Sequence, residues 1–340
     1  MTEKDVELEL PGFSETLKRH WSVMKRHIAP SKLLNLSKAL ASYKIGMDKV
    51  YSLPSIIKFE SSIACHLKCY ECVGEETRSN LNGKTPFMDL DLYTEIMEEN
   101  GSTLLEANLY DEGEPMTSPH IVEMVRIASM KNVGTVISTH ASFKPGGNIS
   151  NKYFNIIDEG LDKIIFAIDG VTQETHGTYR QKGNIEFSLA NLKKVADYVH
   201  KQGLSTIIEW QMIQFWETVN GQWSRNVKEI EEAKIIANDL DIDICIMPNR
   251  FTNNQDKNYE RQTRCILPYI TCSIDFEGNV GACLAYDSPG LEMGQISPSQ
   301  SLKDIWNSVL FTEMRKEHFK PENKLLNPEI NCYSCDRFGG

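Results

Sequence analysis

Three cysteines, Cys65, Cys69 and Cys72, stand in the run CHLKCYEC at the spacing C-x3-C-x2-C. Thiolates so spaced are ligands for an iron–sulfur cluster or for zinc. Closed sites use four protein ligands, and a catalytic metal keeps one position open for a substrate. Three cysteines therefore imply a substrate or cosubstrate on the metal. A second set supplies four thiolates: Cys265 and Cys283, with 17 residues between them, and Cys332 and Cys335 as C-x2-C. These suffice for a closed [4Fe–4S] cluster, and a rubredoxin-like or zinc site uses the same donors. Cys272 is left over, as a spare thiol, a hydrogen donor or an alternative ligand. Cys245, in the apolar run IDICIM, reads as an inert core thiol.

These residues need elements to hold them. From residue 55 onward, strand-like runs alternate with helix-like ones. The strand candidates are 56–64, 102–110, 134–142, 163–170, 204–213 and 241–249, and amphipathic stretches such as NIEFSLANLKKVADYVHKQ separate them. Six such units predict an α/β fold with a parallel sheet, a partial (βα)6 TIM-like barrel. CHLKCYEC follows the first strand, at the end of a parallel sheet where active-site loops gather. Past about residue 250 the composition turns polar, and TCSIDFEGNVGACLAY reads as a β-hairpin turning at Glu277-Gly278-Asn279. The helix SLKDIWNSVLFTEMRKEHF follows it. Three regions result: a helical extension over 1–54, a core over 55–250 and a small cluster domain over 251–340.

Composition excludes some functions. A net charge of −11 opposes non-specific nucleic-acid binding. No apolar stretch is long enough for a transmembrane helix, and MTEKDVELEL lacks a signal peptide's features. A cytoplasmic setting is expected, where nine cysteines point to metal or catalysis rather than disulfides. Residues 16–50 hold eight Lys or Arg against one acid, a local +7, interleaved with Trp21, Val23, Leu33, Leu34 and other apolar residues. This pattern suits a helix pair broken at Pro30. It either caps the core or meets a membrane surface.

The cysteine motif after the first strand of a βα series resembles that of the radical SAM superfamily, and the likeness spans residues 55–250. The resemblance implies that S-adenosylmethionine chelates the open iron of a [4Fe–4S] cluster. One electron then releases a 5′-deoxyadenosyl radical that abstracts a substrate hydrogen. It also implies cofactor contacts at Gly113-Glu114-Pro115 (the methionine amino group), at Ser138 and Thr139 (near the ribose), at Arg180 (the carboxylate) and at Gln211. Three positions depart from the family pattern. Glu71 precedes the third cysteine where an aromatic or apolar residue is usual, with Tyr70 one place earlier, and His66 and His140 stand where Asn is frequent.

The second cysteine set resembles the SPASM auxiliary-cluster domain. With the chain stopping five residues after Cys335, it is closest to the one-cluster twitch form. A closed second cluster that accepts an electron favours oxidation. The expected function is thus a radical SAM oxidoreductase acting on a small polar metabolite such as a sugar, aminocyclitol or nucleoside. Flavodoxin or ferredoxin would be its electron donor. The alternatives are a peptide maturase, for which 54 leading residues look short, and an enzyme of lipid or membrane-associated substrates. An electron-transfer protein that never cleaves S-adenosylmethionine is the alternative outside catalysis. Candidate acid/base or hydrogen-donor residues are Tyr110, Glu112, His140, Glu209 and Cys272.

Overall fold

The computed structural model describes residues 15–70, 72, 74–213, 226–247, 265–284 and 292–319. Glu71, Cys332 and Cys335 lie outside the described residues. The strands are β1 (Ile56–Phe59), β2 (Lys68–Cys69), β3 (Glu106–Asn108), β4 (Gly134–Thr139), β5 (Lys163–Ala167), β6 (Arg180–Gln181), β7 (Ile207–Ile213), β8 (Asp243–Met247), β9 (Thr271–Ile274), β10 (Asn279–Gly281) and β11 (Glu292–Gln295). All six expected core strands form, each shorter than its apolar run. The helices are α1 (Glu15–Met24), α2 (Pro30–Ile45), α3 (Gly74–Ser79), α4 (Leu90–Asn100), α5 (Ile121–Met130), α6 (Asn148–Asp158), α7 (Gln173–Tyr179), α8 (Ile185–Gln202), α9 (Ile230–Asp239), α10 (Leu267–Ile270), α11 (Leu302–Trp306) and α12 (Val309–Phe319). The single helix expected over 301–319 is thus two, parted at Asn307–Ser308.

The helices begin where their sequences supply caps. Asp89 accepts the amides of Asp91 and Leu92 at the start of α4, and Asn184 accepts that of Phe187 at the start of α8. One sheet has the order β11-β10-β9-β1-β3-β4-β5-β7-β8. Its six core strands run parallel in sequence order. Phe59, Ala107, Ile137, Phe166 and Trp210 face the helices and join one core with Tyr93, Met124, Tyr153 and Val195. Consecutive strands paired in chain order, with their helices on one face, make the partial-barrel winding.

The hairpin past residue 265 is not a separate sheet. β9 pairs parallel with β1, Ile56 opposite Thr271 and Phe59 opposite Ile274, and β10 and β11 extend it antiparallel. The β9–β10 turn closes on Asp275, whose carboxylate accepts the amides of Glu277 and Asn279, with Gly278 at φ +88°.

The basic N-terminal segment is spent on the sheet's N-terminal end. His20 Nδ1 meets Glu106, the first residue of β3. His27 Nε2 lies 2.9 Å from Asp162, just before β5. Lys32 donates to the Asn132 carbonyl, and Arg26 donates 2.8 Å to that of Ser205. Val23 is fully buried against Val136 and Ile165 on the sheet face that the helices leave free. A Cβ at Gly134 would come within 2.4 Å of the Val23 side chain. Of the two expectations for residues 16–50, capping the core is what these contacts describe.

Candidate active site

The C-terminal ends of the strands carry the first cysteine set. Cys65, Cys69 and Cys72 are half-buried in the loop after β1. The Cys72 amide donates 3.3 Å to the Cys69 carbonyl. β2 pairs with β6, Cys69 opposite Arg180, and this ties the cysteine loop to the segment after α7. Two guanidiniums attend the sulfurs. Arg78 Nη2 donates to Cys72 Sγ at 3.2 Å, and Arg180 Nη1 lies 3.8 Å from Cys69 Sγ. Burial pushes the Cys65 thiol up to about 12, with Glu114 adding to it, and burial also raises Cys69. Ligation to iron offsets such a penalty, because the metal's charge favours thiolate. No three His, Cys, Asp or Glu side chains among the described residues converge on a single metal ion. The donor set and the two guanidiniums beside it suit a cluster.

The loop after β3 is held against the cysteine loop. Glu60, buried just past β1, accepts the Glu112 amide at 2.5 Å and lies 3.3 Å from the Gly113 amide. Burial keeps its carboxyl well above the usual range, with Asp111 and Glu112 adding repulsion. Gly113 packs on the cysteine-loop backbone so closely that a Cβ would lie 1.9 Å from the Ser62 carbonyl oxygen. Only glycine fits there. The neighbouring Glu114 amide donates to Ala64 O at 3.0 Å.

Glu114 is fully buried, and its carboxylate accepts the amides of Met116 (3.1 Å) and His140 (3.0 Å). It thus joins the loops after β3 and β4. Burial lifts it to about 7 against the pull of those amides and of Arg180. Pro115 and Met116 are buried in the 3-10 turn that follows.

Ser138 is half-buried at the end of β4. Thr139 is buried, its hydroxyl 3.1 Å from Tyr153 Oη. His140 is buried, with Nδ1 accepting the Ser142 amide and Nε2 3.2 Å from Glu114, and burial lowers it well below the usual histidine range. His66 stacks edge-on against it at 4.8 Å. Arg180 Nε donates to Asp169 at 2.6 Å, and the other Asp169 oxygen accepts the Ile213 amide. Although burial opposes it, Asp169 and Cys69 hold the guanidinium charged.

The other sheet face, apart from the Val23, Val136 and Ile165 cluster, carries polar side chains. Strand alternation and register put Lys58, Glu106, Asn108, Ser138, Lys163, Glu209 and Gln211 on it. Lys58 pairs with Asp111, and Lys163 Nζ lies 2.7 Å from Glu209. Asn108 is buried, and its Oδ1 has no hydrogen-bond partner. Tyr110 is half-buried beside Val136 and Ile165, and Glu112 receives Thr77 Oγ1 at 3.4 Å.

The cysteines outside the first set are dispersed. Cys245 is half-buried on β8 opposite Gln211, on this polar face rather than in the apolar core where the sequence placed it. Cys272 is fully buried on β9 opposite Ile57. Cys265 precedes α10 and Cys283 follows β10, both half-buried. The structure thus gathers Cys65, Cys69, Cys72, Gly113, Glu114, His140 and Arg180 around one strand end. Sequence reasoning missed Glu60, Arg78, Asp169, Asn108, Lys58 and Lys163. A carboxylate in the apolar run IIKFESSIA and a lysine opening KIIFAIDG were the available signs.

Residues 265–336 match the family model of SPASM, an iron–sulfur cluster-binding domain. The AdoMet-dependent heme synthase of Methanosarcina barkeri is 24% identical over 148 residues, which cover 43% of this chain and 40% of that relative's length. Streptococcus suis SuiB bound to S-adenosylmethionine shares the fold at a TM-score of 0.61, with 14% identity over 90% of this chain and 76% of its own. SuiB bound to its precursor peptide SuiA gives 0.60, with 12% identity over 83% and 71%. The fold and the cysteine motif are thus similar to those of radical SAM proteins, and residues 265–336 match a SPASM domain.

Proposed function

We propose that Cys65, Cys69 and Cys72 hold the cluster that binds S-adenosylmethionine, and that Cys265, Cys283, Cys332 and Cys335 hold a closed auxiliary cluster. On this reading the enzyme oxidises a small polar metabolite such as a sugar or aminocyclitol, in a reducing cytoplasm with flavodoxin or ferredoxin as donor. The observation that carries the substrate class is the polar sheet face. Two lysine–carboxylate pairs and the unpaired Asn108 acceptor suit hydroxyl and ammonium donors, and they oppose an acyl chain.

Bound together, the first cluster and S-adenosylmethionine supply a 5′-deoxyadenosyl radical. The chain's own residues position and shield it. The 113–115 backbone, fixed by Glu60, would hold the methionine amino group, and Arg180, steadied by Asp169, would pair with the carboxylate. Ser138 and Gln211, on the polar face, would border the nucleoside side, whereas Thr139 turns to the helix side onto Tyr153. Of the acid/base candidates, Tyr110 and Glu112 are half-buried near the cysteines' end, Glu209 is paired with Lys163, and His140 is neutral near pH 7.

Anaerobic reconstitution should give about eight irons per chain. Cys65→Ala/Cys69→Ala/Cys72→Ala should lose about half of them and all 5′-deoxyadenosine formation; retained cleavage overturns the assignment. A panel of aminocyclitols and sugars should contain a compound that raises deoxyadenosine output and leaves as a product lacking two hydrogens. Stimulation by peptides alone would replace the substrate class.

A further inference from the structure

We propose that the outer face of α2 docks on an anionic membrane surface, with the catalytic end of the sheet turned away from the bilayer. α2 has two opposed faces. Lys32, Asn35, Ala39 and Ser42 are buried, at the spacing of one helical stripe. That face lies across the N-terminal ends of the strands: Asn35 Nδ2 donates to Leu53 O (2.9 Å) and Ser55 Oγ (3.2 Å), and Ser31 Oγ donates to Ser102 O (2.7 Å). The opposite face is exposed, and on it Leu33 at 44%, Leu34 at 57% and Ile45 at 71% exposure stand among Ser37, Lys38, Ala41 and Lys44. Lys49 is exposed too, and α2 contains no acid.

Large apolar side chains within a uniformly cationic frame match an interface of acyl chains beneath anionic headgroups. They match no aqueous surface equally well, since three such residues on one helix gain nothing from water. A second copy meeting this exposed face would set lysines against lysines. The remainder of the chain is strongly acidic, so the helix is where attraction to an anionic surface concentrates. No helix among the described residues is long and apolar enough to cross a membrane, so the contact is peripheral.

The geometry also fixes orientation. α2 sits at the strands' N-terminal ends, and the cysteine loop, Gly113, His140 and Arg180 sit at their C-terminal ends. A docked enzyme therefore opens toward water, and its substrate arrives from solution. This separates docking from a lipid substrate.

The test is flotation of the reconstituted full-length protein with vesicles of phosphatidylcholine alone or mixed with phosphatidylglycerol, at low and high salt. Wild type should float with the mixed vesicles at low salt and stay down with phosphatidylcholine. Leu33→Glu/Leu34→Glu and Lys38→Glu/Lys44→Glu, all on the exposed face, should each cut the bound fraction about tenfold with iron content and circular dichroism unchanged. No flotation with mixed vesicles, or variants that float like wild type, would overturn the proposal. So would a two-chain sedimenting mass, without vesicles, that Leu33→Glu/Leu34→Glu returns to one chain.

Discussion

The two ends of the parallel sheet treat buried charge differently. At the N-terminal end, His20 lies against Glu106 and His27 against Asp162, so each carboxylate finds its partner within the protein. At the C-terminal end, burial disfavours the charged form of each group. Cys65 is pushed up to about 12, Glu114 up to about 7, His176 down to about 4, and Glu60 well above its usual range. Paired side chains at one end form a structural cap. Concentrated donors with perturbed protonation at the other mark a site prepared for a charged cofactor. The lesson is that charge in the sequence carries no function until its partners are known.

This contrast separates activity from stability. The largest effect is expected for Gly113→Ala, whose Cβ has no room against Ser62 O. It should cost about 3 kcal/mol in denaturant titration and abolish deoxyadenosine formation. Next comes Glu60→Ala, which frees two amides beside the cysteine loop. Deoxyadenosine formation should fall about 100-fold, with a stability loss of only about 1–2 kcal/mol. Equal activity would show that the loop holds itself.

His20→Ala tests the other end. It leaves Glu106 buried without this partner and should cost about 3 kcal/mol, while turnover per folded molecule stays within about twofold. His27 gives a pH signature. Burial pulls its pKa down, but the Asp162 hydrogen bond and charge outweigh that and raise it. A raised folded pKa stabilises below the unfolded value and fades as pH rises through the folded one. The melting-point gap between wild type and His27→Gln should therefore be widest in mildly acidic buffer and close in alkaline buffer. The smallest effect is expected at Cys272, buried in the core. Cys272→Ala should cost about 1 kcal/mol and leave iron content and turnover unchanged; lost iron would make it a ligand.

The strand series, the cysteine loop and the helix break at Pro30 were legible because periodicity and thiol spacing are local properties. The β9–β1 pairing was not, since nothing near Thr271 names a partner in a distant strand. The supports of the site were hidden for the same reason. Glu60 reads as one acid in an apolar run until the 112–113 amides arrive, and Arg78 reads as a solvated helix residue until Cys72 lies beside it. The basic segment was legible only as two alternatives, a cap or a surface, because charge density does not say which bases turn inward; four of its basic side chains turn onto the sheet end.

The pairing of β1 with β9 sets a schedule for biosynthesis. Ile56 waits for Thr271, more than two hundred residues later in the chain. At about 5–20 residues per second, the edge of the strand that leads into the cysteine loop stays uncovered for about 10–40 s on the ribosome. An uncovered edge strand is a template for mispairing between nascent chains. Sluggish, aggregation-prone expression is the expected cost of closing this sheet with its latest-made hairpin. Metal loading is then best timed after release, when β9 has locked the first strand in place.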